Sequence, residues 1–243
     1  MKKIIFSIFA FIFITATSFA ASGFEFILNV PIGMSFGVYD YDLTDWGEYY
    51  NNLHNGEVRN AIGKNNGIGL DAGVSAQLGY MFAINNNMGV SVLGELGYSH
   101  DSYSYISKLD KNISDTYTFE SLQVGILPKF NIYNFAIGIG AGVKVPLGGK
   151  YYYKIGSVKG STKIDYNYIS SNFITKVIPY IKLTFDWFFS DINYKTREFV
   201  DTRDLGIGFY LGYNFGPKSK NYIGTDSFDI GLQLSLRFKP AKN

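Results

Sequence analysis

The stretch Ser227-Phe228-Asp229-Ile230-Gly231-Leu232-Gln233-Leu234-Ser235-Leu236-Arg237-Phe238 alternates strictly between apolar and polar side chains. Every even position is large and apolar, and every odd position from Asp229 to Arg237 is polar, charged or glycine. A period of two indicates a β-strand, and two faces this different indicate that the strand separates two environments. In a soluble protein these are a core and water, whereas in a bacterial outer membrane they are lipid and the lumen of a barrel.

Seven upstream segments alternate in the same way, and none of the eight apolar faces contains Asp, Glu, Lys or Arg. A Lys or Arg on a lipid-facing strand costs about 2–4 kcal/mol at the midplane, whereas the exposed face of a soluble sandwich carries many charges. The pattern predicts an all-β protein, an antiparallel up-and-down transmembrane β-barrel of eight strands, and a secreted soluble sandwich is the alternative. We expect strands at 23–38, 68–82, 88–98, 121–130, 135–147, 173–187, 205–215 and 227–238.

The polar faces carry nearly balanced charge, which predicts a closed ionic network inside the barrel. A selectivity ring would carry one sign, and eight strands leave an interior just wide enough for side chains. A small pore is the alternative if the lumen is wider or more polar than this. The predicted lumen charges are Glu25, Asp71, Glu95, Asp186 and Asp229 against Lys129, Lys144, Lys176, Lys182 and Arg237.

Long and short connections alternate, as in outer-membrane barrels with long extracellular loops. With the N-terminus on the periplasmic side, the long loops 39–67, 99–120 and 148–171 lie outside the cell. The connection 188–204 breaks the alternation and is an extended hairpin, a periplasmic flap or a hidden strand. Tyr-rich loops supply amphipathic contacts, so we expect surface-contact residues there. The candidates are Tyr41, Trp46, Tyr49, Tyr50, Tyr103 and Tyr105, followed by Tyr117, Tyr151, Tyr152, Tyr153 and Tyr166, of which Tyr151 to Tyr153 are equally typical of an aromatic girdle.

The N-terminus has the features of a secretory signal peptide. A basic start at Lys2-Lys3 precedes the apolar run Ile4–Ile14, and small residues precede a cleavage point after Ala20. We therefore expect a signal peptide at 1–20 and one barrel domain at 21–243. Cysteine is absent, so no disulfide contributes to stability, and 20 Tyr and 21 Phe with only 17% charged residues are typical of a lipid-facing sheet. The net charge of +2 is too small to indicate nucleic acid as a partner, and we expect none.

The end of the last strand, Leu234-x-Leu236-x-Phe238 with Gly231 upstream, resembles the C-terminal signal by which outer-membrane barrels are recognised for insertion. Over essentially its whole mature length the chain resembles the small eight-stranded barrels of the OmpA/OmpX type. The resemblance implies the outer membrane as location, outer-membrane lipid and the barrel-assembly machinery as partners, and a monomer without cofactor or metal. No motif selects a subfamily, and our first function hypothesis is a non-enzymatic surface protein whose long loops adhere to a host or matrix ligand.

The same group of small barrels includes lipid A-modifying enzymes, which is the alternative function. The palmitoyltransferase type pairs a His in the first outer loop with Asp-Ser in the second, a pattern similar to His54 with Asp101-Ser102. The 3-O-deacylase type uses His-x-Ser and a distant acid, similar to His100-x-Ser102 with Glu120, although Tyr103 stands where that motif has Asn. Activation of Ser by His is sound acyl-transfer chemistry. These motifs are only two or three residues long, so we place them second to surface binding.

Overall fold

The computed structural model describes residues 22–41, 64–85, 87–108, 110–173, 175–193, 198–216, 218 and 223–240. The predicted signal peptide, Trp46, Tyr49, Tyr50 and His54 lie outside these residues. In the described part of the chain the strands are β1 (Gly23–Tyr41), β2 (Lys64–Asn66), β3 (Ile68–Asn85), β4 (Met88–Ser107), β5 (Ile113–Ile126), β6 (Lys129–Ile132), β7 (Phe135–Ile155), β8 (Val158–Ile164), β9 (Ile178–Asn193), β10 (Glu198–Asn214) and β11 (Ile223–Phe238), and the helix is α1 (Tyr166–Asn172).

The strands close into an antiparallel ring. Strands β5 and β6 form one ring strand interrupted at Leu127-Pro128, because β4 and β7 pair with both parts. The ring runs β1, β3, β4, β5 with β6, β7, β9, β10 and β11, and β11 pairs back with β1 from Phe26↔Phe238 to Tyr41↔Ile223. The prediction of an eight-stranded barrel is confirmed, and the soluble-sandwich alternative is wrong.

Alternation along each strand places apolar side chains on the outside of the ring and polar ones inside. In β11, Leu234 is 63% exposed, whereas its neighbour Gln233 is 2% exposed. We call the outward apolar surface the belt, and it is the lipid-facing surface of an outer-membrane barrel. Its members include Val30, Ile32, Leu70, Leu78, Val92, Leu96, Val124, Ile126, Ile139, Val143, Ile181, Leu183, Ile207, Phe209, Leu232 and Leu234.

Aromatic side chains lie at both edges of the belt. At one edge the Phe135 and Trp187 rings stack with centroids 6.2 Å apart, and at the other the Tyr213 and Phe215 rings meet edge to face at 4.9 Å. Tyr98 is exposed at the edge that carries Tyr213, which we call the upper edge. Amphipathic rings prefer the membrane–water interface, so these girdles mark the two boundaries of the membrane.

The two ends of the barrel differ in their connections. The end with Trp187 carries the short β3–β4 and β6–β7 turns, and Tyr133 adopts a positive φ of 52° in the second of these. Both ends of the described chain lie there too, with Phe26 beside Phe238. Short turns and termini are typical of the periplasmic side, so the opposite end faces outside the cell. Among the described residues, no helix has the length and apolar character needed to cross a bilayer.

The 188–204 connection is an extended hairpin, because β9 continues to Asn193 and β10 begins at Glu198. It therefore contains no additional ring strand. The pairing of Glu198↔Asn193 and Phe199↔Ile192 is followed by a register shift before Asp204↔Ser190. A bulge of this kind lets the hairpin extend beyond the periplasmic edge of the membrane while the ring keeps its register.

The prediction of outer loops at 99–120 and 148–171 is wrong, because both segments consist mostly of regular secondary structure. Residues 99–120 are mostly strand, since β4 runs to Ser107 and β5 begins at Ile113. Residues 148–171 contain the end of β7, all of β8 and most of α1. The predicted strand start at Phe173 is also wrong, because β9 begins at Ile178 and Lys176 precedes it as an exposed residue outside the ring strands.

These strand extensions pack together above the membrane, and we call residues 99–120 and 148–178 the head. Their inward side chains form an apolar cluster, the head core, with α1 lying across it. Asp165 caps this short helix by accepting a hydrogen bond from Tyr168 N at 2.8 Å. The head core consists of Tyr103, Tyr105, Phe119, Ile164, Ile169, Phe173 and Ile178.

Candidate functional site

The periplasmic end of the lumen is closed by an apolar plug. Ile27, Leu93, Ala136 and Phe188 pack there as a buried cluster. The Arg237 guanidinium lies 4.7 Å from the centroid of the Phe188 ring and forms an ion pair with Glu25, Nε to Oε1 at 2.5 Å. Arg237 thus contacts both the apolar plug and the charged residues of the lumen above it.

Two buried ion pairs fill the middle of the lumen. Lys129 Nζ lies 3.0 Å from Asp186 Oδ2, and Lys182 Nζ lies 2.6 Å from Glu95 Oε1. Glu95 is the centre of this layer because four further side chains donate hydrogen bonds to its carboxylate. The donors are Ser75 at 3.0 Å, Gln77 at 3.1 Å, Gln123 at 2.7 Å and Tyr180 at 2.9 Å.

The upper layer of the lumen contains three carboxylates and one ammonium group. Lys144 Nζ forms an ion pair with Asp101, and Asp71 and Asp229 lie beside them with carboxylate oxygens within 4.8 Å of one another. Asp71 accepts a hydrogen bond from the Tyr210 hydroxyl. The cluster could hold a cation, a role that the Lys144 ammonium group already fills in part.

The predicted lumen residues therefore meet as layered ion pairs, with one addition and one omission. Asp101 was assigned to a loop, but it lies in β4 and faces Lys144, so that assignment is wrong. Lys176 lies outside the lumen. Hydropathy did not identify Asp101 because the outward residues beside it, His100 and Ser102, are polar too. The usable signal was the unbroken odd parity that Asp101 shares with Glu95.

Side chains fill most of the space between these layers. A cavity of about 40 Å³ remains beside Asp71, Lys144, Tyr180, Tyr210 and Asp229. That volume holds only a few water molecules. The packing of the described lumen favours a closed barrel over the small-pore alternative.

The predicted contact residues Tyr103 and Tyr105 lie inside the molecule, where they are 0% and 1% exposed. As surface-contact residues they are wrong. Both are inward positions of β4, and the Tyr103 ring meets Phe119 edge to face at 5.8 Å. Tyr41 is the last residue of β1. In the head, the exposed tyrosines are Tyr152 and Tyr166.

Tyr117 and Tyr151 occupy an intermediate position at the edge of the head core. Their rings stack with centroids 4.7 Å apart, and the Tyr151 hydroxyl donates a hydrogen bond to Asp115 Oδ1 at 2.6 Å. Burial and this hydrogen bond raise the pKa of the Tyr151 hydroxyl above its ordinary value. Tyr151 therefore stays protonated and fixes the β5–β7 register above the membrane.

A polar cluster lies on the outer face of the barrel, at the upper edge of the belt. His100 and Glu120 are opposite one another on β4 and β5, and His100 Nδ1 lies 2.7 Å from Glu120 Oε1. The Tyr98 hydroxyl donates to the other carboxylate oxygen of Glu120. Glu120 thus holds the imidazole through Nδ1 and leaves Nε2 for another partner.

Ser102 is the third member of this cluster by position. It follows His100 by two residues on β4 and so projects to the same side of the strand. Its side chain is 4% exposed. Asp101 projects to the opposite side, into the lumen, which separates it from Ser102 and removes the Asp-Ser pair expected for the palmitoyltransferase type.

No protein-family profile and no curated protein matches the chain. Among solved structures, it is similar to Neisserial surface protein A (10% identity, TM-score 0.40), with 89% of this chain and 99% of that chain covered. It is similar to the outer membrane protease OmpT from Escherichia coli (6% identity, TM-score 0.41, 91% and 98% covered). It is also similar to Ail of Yersinia pestis, in a structure with the heparin analogue sucrose octasulfate (12% identity, TM-score 0.33, 87% and 98% covered). Similarity at this level assigns no function, and the architecture rests on the strand register and the belt.

Proposed function

We propose that the protein is a non-enzymatic surface-binding protein of the outer membrane, in which the head carries the adhesive surface. The observation that supports this proposal is the head core. Crossing the membrane does not require strands of this length. The strands nevertheless continue beyond the membrane and bury Tyr103, Phe119, Ile164 and their neighbours above the lumen. A packed core holds the outer surface of the head in one shape, which lowers the entropy cost of binding a ligand.

The surface that this core supports has the chemistry of a contact surface. Tyr152 and Tyr166 are exposed, and the exposed Ser161 lies opposite Tyr152 in the β7–β8 register. Exposed tyrosines among hydroxyl side chains provide large contacts and adaptable hydrogen bonds. The packed lumen below favours binding at the surface over transport through the barrel.

Head deletion tests the proposal. Replacing 104–116 by a Gly-Ser turn joins Tyr103 to Tyr117, which are register partners, and a second variant replaces 148–176 in the same way. We expect both variants to keep the heat-modifiable gel mobility of a closed barrel. Non-adherent bacteria that display the intact protein should bind host cells or matrix, and bacteria that display either variant should not. Equal adhesion with and without the head, or no adhesion with the intact protein, would contradict the proposal.

The second candidate function is hydrolysis of an acyl ester of a membrane lipid, because Glu120 holds His100 through Nδ1, and Ser102, two residues further along β4, projects to the same side of the strand. In this reaction the Ser102 hydroxyl attacks the ester carbonyl while His100 takes its proton. The proton then passes to the departing alcohol, and water releases the fatty acid from the acyl-serine. The Ser102→Ala variant tests it against a matched control, Ser104→Ala, the next outward serine on β4. If expression of the intact protein changes the lipid A profile, and if Ser102→Ala but not Ser104→Ala removes that change, the hydrolase function replaces the adhesive one.

A further inference from the structure

Four lysines lie on the outer face of the β7–β8 hairpin in the head. Lys150 pairs with Lys163 and Lys154 pairs with Lys159 in the antiparallel register. Directly opposite residues project to the same side of a sheet with Cβ atoms about 5 Å apart, and positions four apart on one strand share that side too. The four ammonium groups therefore form two facing pairs on one surface, which we call the lysine face.

Like charges directly opposite one another destabilise a β-ladder. Acidic residues on the same surface would relieve this repulsion, but the outward positions of β4, β5, β7 and β8 above the belt carry one acid among the described residues, Glu120. Its carboxylate is already engaged by His100 and Tyr98. Asp165, beyond the end of β8, accepts its hydrogen bond from Tyr168 N. The lysine face is therefore a positive surface without an acidic counterpart of its own.

The hydroxyl groups on the neighbouring strands are mostly buried. Thr118 on β5 lies opposite Lys150 on β7, but it is 9% exposed and its hydroxyl donates a hydrogen bond to Lys150 O at 3.3 Å. Ser161, which is exposed, lies between Lys159 and Lys163 on β8 and projects to the same side. The donors that this face offers to phosphate oxygens are therefore the four ammonium groups and the Ser161 hydroxyl.

The lysine face continues directly from the belt. Leu147, which is exposed, precedes Lys150 by three residues on β7. Three residues of a strand span about 10 Å, and strand tilt makes the height above the membrane smaller still. Lipid that lies against the belt below Leu147 therefore has its headgroup beside the Lys150–Lys163 pair.

We propose that the lysine face binds the phosphate groups of outer-leaflet lipids that surround the barrel. The lower pair, Lys150 and Lys163, contacts the phosphates, and the upper pair, Lys154 and Lys159, raises the local positive potential. This proposal goes beyond the adhesive function, because the ligand is lipid beside the barrel and not a host or matrix ligand, although Tyr152 of the contact surface lies between Lys150 and Lys154 on the same side of β7. It gives the barrel a preferred lipid and a preferred side on which that lipid lies.

The test uses the purified full-length protein in detergent with added diphosphorylated lipid A, and native mass spectrometry measures the lipid that remains bound. Each basic side chain near an anionic membrane surface contributes about fivefold in affinity, so Lys150→Gln with Lys163→Gln should weaken retention about 30-fold. The matched control is Lys176→Gln with Lys218→Gln, two exposed lysines elsewhere, which should retain lipid as the intact protein does. The double Lys→Arg variant at 150 and 163 should also retain it.

Three results would overturn the proposal. Equal retention by the Lys150/Lys163 and Lys176/Lys218 glutamine variants would show that the lysine face is not the site. Equal retention of dephosphorylated lipid A would show that the phosphate is not what is recognised. A soluble sulfated polysaccharide that binds through the same two lysines, while lipid A does not, would assign the face to a soluble polyanion. Heat-modifiable mobility of every variant confirms that the compared proteins are folded.

Discussion

The two faces of β4 exchange polarity between its lower and upper halves. The outward face is apolar in the lower half and polar in the upper half. Below Tyr98 the strand directs Val92 and Leu96 outward and Glu95 into the lumen. Above it, Ser104 lies on the outer side and Tyr103 is buried in the head core. The backbone alternation does not change, but the surrounding medium does, from lipid to water. The side of a strand that becomes apolar is therefore set by the solvent at that height.

The two halves also differ in what holds them together. In the membrane, lipid tails are as apolar as a protein core, so burying apolar side chains in the lumen brings little gain, and polar groups pair inside instead. In the head, water drives Phe119, Ile164 and Ile169 inward by the hydrophobic effect. The barrel should therefore be most sensitive to changes in its charges and its belt, and the head to loss of apolar volume.

A charge placed in the belt should have the largest effect. We expect Leu234→Arg to block membrane assembly, because the guanidinium costs about 2–4 kcal/mol at the membrane midplane. The same change at an exposed head position, Tyr152→Arg, should leave assembly intact, because that side chain faces water. Outer-membrane fractionation and heat-modifiable mobility measure both variants. Equal assembly would show that Leu234 does not face lipid.

Removing the central lumen acid should have the next largest effect. We expect Glu95→Ala to lower the free energy of unfolding by about 3–5 kcal/mol, because it leaves Lys182 buried without its partner. Glu120→Ala removes a carboxylate from the half-exposed outer surface and should cost under about 1 kcal/mol. Urea unfolding in detergent compares the two variants. Similar costs would mean that the lumen network does not stabilise the barrel.

Loss of apolar volume from the head core should destabilise the head and leave the membrane-spanning barrel folded. We expect Ile164→Ala to destabilise local packing by about 2–5 kcal/mol, because it opens a cavity in the head core. Val158→Ala, at an exposed position on the same strand, is the control. Limited proteolysis should cut the head of Ile164→Ala faster, while gel mobility still reports a closed barrel. A barrel that also unfolds would mean that head and membrane-spanning part form one cooperative unit.

The smallest expected effect is on ion flow. The apolar plug at Phe188 and the ion pairs above it leave little continuous space in the described lumen, so planar bilayers with the intact protein should show no steady conductance. A reproducible open channel of nanosiemens size would restore the pore alternative.

The sequence predicted the membrane-spanning part well because lipid and lumen impose opposite polarity on adjacent residues. The strand around Ile230–Leu236 could be read residue by residue for that reason. Above Tyr98 the contrast weakens, since Ser102 and Asp101 are both polar although they lie on opposite faces. Tyrosine added to the difficulty, because Tyr103 suits a binding loop as well as a core by composition. Only the unbroken period of two distinguished the extended strand from a loop.

The His100–Glu120 contact could not be derived from spacing along the chain. The two residues meet because the β4–β5 register places them opposite one another, and that register depends on a hairpin that was predicted to be a loop. The short motif His-x-Ser indicated which residues to examine, but the pairing required the ladder. The lysine pairs of β7 and β8 became visible in the same way.

The pairing of β1 with β11 makes the ring depend on the two ends of the chain. The other ring junctions join ring strands that follow one another along the chain, with only the short β2 or β8 between them in two cases, but Phe26↔Phe238 spans nearly the whole barrel domain. Bringing such distant segments together costs about 5 kcal/mol in loop-closure entropy from chain length alone, and non-local pairing of this kind is slow. Until the last strand is in place, β1 presents a free edge that could pair with another chain. Assembly is thus most exposed to aggregation between completion of the other ladders and docking of the 16 residues of β11. A truncation that removes β11 would make that exposure permanent.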